Sequence, residues 1–146
     1  MRQLLTMLLA VFSFAAAAEN PADFPSKPIR FVVPFGAGGA GDQLVRAMSA
    51  SITEQTGKAV IVENRIGANG AIGSAYVAQQ PADGYTLLLA TTSTHAGNAY
   101  LMKQLPYDPV KDFTPITGVS RGDLVLLVHP SLQVRTVQDL VALARQ

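Results

Sequence analysis

Three short segments hold most of the residues whose types and spacing could do chemistry. The first, Gly36-Ala37-Gly38-Gly39-Ala40-Gly41, has no side chain larger than a methyl and is followed at once by Asp42. Backbone N–H groups in such a loop stand open. Where the loop runs into a helix they add to the positive end of the helix dipole, which suits an anion. The second segment, Gly67-Ala68-Asn69-Gly70, is similar. The third, Thr91-Thr92-Ser93-Thr94, offers four neutral hydroxyls that can donate to a carboxylate without adding charge, and His95 follows it. Together the three describe an oxyanion cradle made of dipoles.

Catalytic groupings are thin. The only histidines are His95 and His129, too few for a metal site, and cysteine is absent. Ser93 lies near His95, yet no nucleophile-elbow pattern surrounds it. His95 reads as a hydrogen-bonded structural residue rather than a general base, and Arg65 as a solvated surface arginine rather than a carboxylate anchor. Two readings of Asp42 stand: a first-turn residue favoured by the helix dipole, or a group that orders water or accepts from a ligand hydroxyl or ammonium. Nothing here requires an enzyme, and neither a cofactor nor a metal is expected.

One competing pattern is literal. Gly36-x-Gly38-x-x-Gly41 matches the dinucleotide-binding fingerprint, and Glu63 falls near the place of its ribose-binding acid. That alternative makes the chain an NAD-dependent oxidoreductase domain. Against it stand Pro34, which interrupts the approach to the first glycine, and an export signal described below.

The elements that must position these loops follow from composition. Ile29–Val33 is a β-branched and aromatic run read as a buried strand, and Pro34 ends it. A helix begins at Asp42 with Leu44, Val45, Met48 and Ile52 on one face and Gly57 as its stop. A second strand covers Ala59–Val62, and the Gly67–Gly73 turn runs into a short helix stopped by Pro81. A third strand covers Tyr85–Ala90, and the loop from Thr91 to His95 opens a helix reaching about Lys103. Two more strands are expected at Phe113–Val119 and Leu124–Val128. Thr136 with Asp139 signals the cap of a last helix, whose apolar face is Leu140, Val141 and Leu143. Strands alternating with helices predict an α/β fold with a mainly parallel sheet. In such sheets ligands bind at the carboxyl ends of the strands, which is where all three loops fall.

The bulk numbers agree with a packed domain. Of 146 residues, 49% are hydrophobic and 14% charged, and 11 Lys and Arg face 10 Asp and Glu. Without a basic stripe, nucleic acid is not expected as a partner. At the N-terminus, Arg2, the apolar stretch Leu4–Phe14 and the small residues Ala15–Ala18 read as a cleavable secretory signal, with Glu19 opening the mature chain. The apolar stretch is shorter than the ~20 residues that span a bilayer. No cysteine follows the cleavage zone, so export without lipidation, to the periplasm, is expected.

Several segments in order carry a resemblance. FPSKPIRFVVPFGAGGAGD (Phe24–Asp42), VIVENRIGANGAIG (Val60–Gly73), ADGYTLL (Ala82–Leu88), TSTHAGN (Thr92–Asn98) and LPYDPVKDF (Leu105–Phe113) are similar to the Bug-type (TctC-like) periplasmic solute-binding receptors of tripartite tricarboxylate transport systems. The resemblance implies the N-terminal lobe of a two-lobed periplasmic-binding-protein (type II) fold that closes on a small carboxylate, such as a di- or tricarboxylate. It also implies membrane permease subunits as partners. Carried over by position, the ligand-facing residues are Gly38, Gly39, Asp42, Asn69, Gly70, Thr92, Ser93, Thr94 and His95.

Ile66 stands where family members often have proline, and Ala40-Gly41 loosens the first loop. Family receptors are also about twice as long. The expected organisation is therefore a signal over 1–18, the N-terminal part of lobe 1 over 19–128 and the start of lobe 2 over 129–146, with the remainder absent. A non-functional truncated remnant is the other reading of that length.

Overall fold

Ile29–Val33 forms strand β1, and its near-continuous burial follows from its place at the centre of a parallel sheet covered on both faces. The computed structural model describes residues 23–122 and 125–145, so the N-terminal stretch read as an export signal lies outside the described residues. Phe31, Val32 and Val33 are almost fully buried, and only Arg30 breaks the run by pointing outward. β2 (Val60–Asn64) and β3 (Thr86–Leu88) flank β1 in the order β2-β1-β3, both parallel to it. Ile29 stands opposite Val60 and Val33 opposite Asn64, while Arg30 pairs with Thr86 and Val32 with Leu88. β3 is shorter than the expected Tyr85–Ala90, but its pairing continues at both ends. Arg30 N–H donates to the Tyr85 carbonyl (2.8 Å), and Leu89 N–H to the Val32 carbonyl (2.9 Å).

Strand order dictates where the helices go. The crossover from β1 to β2 steps one way, and that from β2 to β3 steps back across β1. Right-handed connections then place α1 (Ala40–Thr56) and α2 (Ala71–Ala78) on opposite faces. Side chains agree: Val60 and Val62 line a groove with Arg46, Ser49 and Thr53 of α1, whereas Arg30 bonds Tyr76 of α2.

α1 starts two residues before the expected Asp42, with Gly39 as an extended N-cap. It ends as expected at Gly57, whose left-handed φ of 68° lets its N–H donate to the Thr53 carbonyl. Val45, Asp42 and Ser49 are its most enclosed members, and Leu44, Met48 and Ile52 are half-buried. After β3, a π-helical turn (Ser93–Gly97) runs into α3 (Asn98–Leu101), which stops short of Lys103 because Met102 is extended.

The described residues up to Thr114 and those from Pro115 onward form two compact units. The strands expected at Phe113–Val119 and Leu124–Val128 are not formed: the described residues 113–119 and 125–128 belong to no ladder, Leu124 being outside the description. Their β-branched and apolar composition is real, but a strand exists only where another edge satisfies its N–H and C=O groups. Val125, Leu126 and Leu127 are instead exposed. In the second unit α4 (Val137–Ala144) carries the expected cap. Asp139 N–H donates to Thr136 Oγ1 (3.1 Å), and Thr136 N–H donates back to the Asp139 carboxylate (3.0 Å).

Candidate functional site

At the carboxyl ends of the strands the second and third loops meet around Gly70, against the Pro34-Phe35 segment from which the first loop departs. A Cβ built on Gly70 would lie 2.6 Å from Thr94 Cγ2, 3.3 Å from Phe35 Cζ and 3.4 Å from Pro34 Cβ. These neighbours come from the segments after β3 and after β1. Gly73 is equally tight, its Cβ position being 2.8 Å from the Arg65 carbonyl oxygen and 3.0 Å from Pro34 Cβ. Glycine is needed at 70 for a second reason, since its φ is 84°. The sheet order places this junction beside β1, at the topological switch where the connections leave in opposite directions, the position at which open α/β sheets bind ligands.

The first loop is shaped by Asp42, which is 3% exposed. Its Oδ2 accepts from Gly38 N–H (2.8 Å) and Arg46 Nε (2.9 Å), and its Oδ1 accepts from Asn64 Nδ2 (2.9 Å). Asn64 Nδ2 also donates to the Phe35 carbonyl (3.0 Å), and Arg46 Nη2 donates to Asn64 Oδ1 (3.3 Å). Hydrogen bonds from Arg46, Gly38 and Asn64 hold the Asp42 carboxyl well below the usual carboxylate range. Of its two sequence readings the geometry matches the first-turn residue, with a fuller role: it fastens the loop to α1 and to the end of β2. Gly38 N–H is therefore engaged internally. The N–H groups of Ala40 and Gly41, in the first turn of α1, have no intrahelical carbonyl to meet.

Arg46 and Asn64 were not singled out in the sequence. Arg46 had a local signal, four residues after an aspartate on a helix. Asn64 had only its place at a strand end.

The second loop is a left-handed turn. Ala68, Asn69 and Gly70 have φ of 46°, 51° and 84°. Asn69 Nδ2 donates to Asn98 Oδ1 (2.9 Å), and Asn98 Nδ2 donates to the Asn69 carbonyl (3.0 Å), so the two residues grip each other reciprocally. Asn98 is fully buried and, like Arg46, was not among the expected site residues.

In the third loop Thr94 is fully buried and its hydroxyl works within the turn. It accepts from Thr91 N–H (2.9 Å), donates to the Thr91 carbonyl (3.1 Å) and lies 2.9 Å from His95 Nδ1. The Thr94 carbonyl accepts from Tyr107 Oη–H (2.7 Å). His95 stands edge-on to Phe113 with ring centroids 4.8 Å apart, and partial burial pushes its pKa down.

The expected site residues thus divide by access. Gly38, Gly39, Asn69 and Thr92 are exposed, and Ser93 and His95 are half-buried. Asp42, Gly70 and Thr94 are enclosed.

Arg65 and Glu63 are occupied elsewhere. Glu63 receives Arg65 Nη2 (2.6 Å) and Arg30 Nε (3.4 Å), and the Arg65 guanidinium carbon sits 3.4 Å over the Tyr76 ring. This cluster lies on the α2 face, opposite α1, so the acid of the dinucleotide pattern is already paired with two arginines. Among the described residues no group of three His, Cys, Asp or Glu is arranged to hold a metal ion.

Residues 44–146 match the family described as "Tripartite tricarboxylate transporter family receptor" (TctC). Protein BugT of Bordetella pertussis is 37% identical over 94% of this chain and 44% of its own length. A UPF0065 protein from the tcbD-tcbE intergenic region of Pseudomonas sp. strain P51 is 35% identical over 99% of this chain and 43% of its own. The chain therefore spans about two fifths of the length of these relatives. Among solved structures, R. palustris Rpa4515 with adipate superposes with a TM-score of 0.75 at 41% identity, over 84% of this chain and 41% of that one. MatC from Rhodopseudomonas palustris with bound malate gives 0.60 at 37% identity, over 63% and 31%. On the match across most of its length, the chain belongs to the TctC receptor family, as a Bug-type member.

Proposed function

We propose that the protein is an extracytoplasmic solute-binding receptor that captures a small carboxylate at the carboxyl ends of β1, β2 and β3. The observation that carries this reading is the packing of Gly70 against Pro34, Phe35 and Thr94, which brings the second and third loops together at the root of the first. The exposed N–H groups and hydroxyls there are neutral donors, the set that suits a carboxylate; the adipate and malate held by two solved relatives are ligands of that chemistry. Contacts are proposed from Asn69, Thr92, Ser93 and His95 and from the loop at Gly38 and Gly39, where Ala40 and Gly41 N–H are the donors because Gly38 N–H goes to Asp42 and Gly39 N–H to the Gly36 carbonyl; Asp42, Gly70 and Thr94 fix the loops, and ordered water fills the gaps between donors and ligand.

Three loops make one wall. Burying most of a ligand needs a facing wall, and the reading assigns it to the length that the relatives have and this chain does not span. Residues 19–128 are proposed as the N-terminal part of the first lobe and 129–146 as the start of the second. Export to the periplasm through the 1–18 signal and delivery to a tripartite tricarboxylate-type permease complete the reading.

A thermal-shift screen tests it, run on this chain and on the same sequence completed to the relatives' length. Di- and tricarboxylates including adipate and malate form the panel, with NAD as the contrast. Ligands that bind only the folded state raise Tm with saturation. A shift with a carboxylate in the longer protein supports the receptor. Stabilisation by NAD alone would replace it with the dinucleotide reading.

A further inference from the structure

We infer that Asn98, outside every expected contact, is a positioning residue that holds the second loop in its left-handed shape and sets that loop's distance from the third. The inference rests on the carboxylate-receptor reading. Asn98 is 0% exposed, so it cannot itself meet a ligand from solvent. Both polar atoms of its amide go to Asn69, one to the side chain (2.9 Å) and one to the backbone carbonyl (3.0 Å).

Asn69 needs holding. It sits at φ 51° behind Ala68 at φ 46°, and L-residues disfavour that region; alanine brings no polar side chain to offset it. Within the loop itself, Gly70 N–H donates to the Gly67 carbonyl (3.0 Å) and Ala71 N–H to the Ala68 carbonyl, while Ser74 Oγ donates to the Gly70 carbonyl (3.0 Å). These bonds close the turn and join it to α2. The Asn98 pair is different in kind, because it ties the turn to the first residue of α3, directly after the hydroxyl-bearing loop.

The chemistry explains the residue type. Holding one donor and one acceptor of Asn69 at once needs a short side chain with both functions. Aspartate in its place would keep an acceptor for the Asn69 amide but set its other oxygen against the Asn69 carbonyl, and leucine would leave the carbonyl and the Asn69 amide without partners. Asn98 therefore acts through Asn69: it fixes where the loop's donors stand relative to Thr92 and Ser93.

Amide hydrogen exchange of the ligand-free full chain tests this without a ligand. In Asn98→Leu, exchange at Gly70 and Ala71 should quicken by about tenfold relative to wild type, with β1 and α1 amides unchanged. Adding Asn69→Gly, which removes the cost of the left-handed backbone, should restore part of the protection, whereas a simple packing defect at α3 would not respond. Should Asn98→Leu fail to fold, the isosteric Asn98→Asp carries the same comparison. No local quickening, a uniform quickening across β1 and α1, or no effect of Asn69→Gly would overturn the inference.

Affinity for adipate and malate, measured by calorimetry on the protein completed to family length, adds the functional arm. A loss in the Asn98 variant larger than its stability change explains supports positioning, and an unchanged affinity overturns it. If wild type binds no carboxylate of the panel, the receptor reading fails, while the exchange data still decide what Asn98 does to the loop.

Discussion

Gly70 and Thr94 are in direct contact, with room for nothing between them: the Cβ that any other residue would add at 70 falls 2.6 Å from Thr94 Cγ2. This contact joins the loop after β2 to the loop after β3. Gly70→Ala must both adopt φ 84° and displace a fully buried neighbour. The expected cost is about 2–4 kcal/mol of stability, from left-handed strain and overpacking together. Thr94→Ser removes the offending methyl and keeps the hydroxyl, so the double variant should recover part of the loss. Chemical denaturation of the four proteins in the cycle measures that coupling, and strict additivity would mean that the clash is relieved some other way.

Asp42 predicts a distinct acid response. Its folded pKa is depressed by bonds from Arg46, Gly38 and Asn64, so its stabilising contribution is complete above the unfolded value of ~3.9 and is lost as pH falls through the lower folded value. Asp42→Asn should be less stable than wild type at neutral pH. Below about pH 4 its stability should fall less steeply with pH, by the equivalent of about one proton. Urea titrations at stepped pH give both slopes; parallel slopes would show that Asp42 is not held low.

What could be read beforehand, and what could not, follows from how local each signal is. β1 was legible because a five-residue β-branched and aromatic run needs no partner to be recognised, and Gly57 because a left-handed stop is a property of one residue. The loops were visible because glycine and hydroxyl chemistry is written in consecutive positions. Their internal division was not: Thr94 and Thr92 differ only in which way the turn buries them, one fully enclosed and one exposed. Asn64 and Asn98 were silent because each acts on a residue more than twenty positions away. At Phe113–Val119 and Leu124–Val128 composition signalled the ability to form a strand, and pairing, which composition does not carry, decided otherwise in the described residues.

Arg65 is held by Glu63 and the Tyr76 ring rather than offered to the crevice. Arg65→Met should cost about 1 kcal/mol, the size of a partly exposed cation–π contact with a surface ion pair. Arg65→Lys should restore only part of this, because an ammonium lacks the flat face that stacks on the ring. Carboxylate affinity in the receptor should be unchanged by either substitution. A large loss of affinity in Arg65→Met with stability intact would instead make this arginine a ligand anchor.

His95 links the framework to the proposed ligand through its ionisation. Burial beside Phe113 and Tyr107 lowers its pKa, so the charged form is disfavoured in the folded protein. For such a group the stabilising contribution is complete above the unfolded value of ~6.5 and declines as pH falls from there through the folded value. Tm should therefore decline over that window in wild type, and by less in His95→Gln. Ring-proton NMR follows the titration directly. If His95 lines the carboxylate cradle, saturating adipate or malate must raise its pKa, since a nearby negative charge favours the imidazolium. Ligand binding should then tighten as pH falls through the same range. Binding that leaves the His95 titration where it was would remove this histidine from the cradle and leave it as part of the loop's packing against Tyr107 and Phe113.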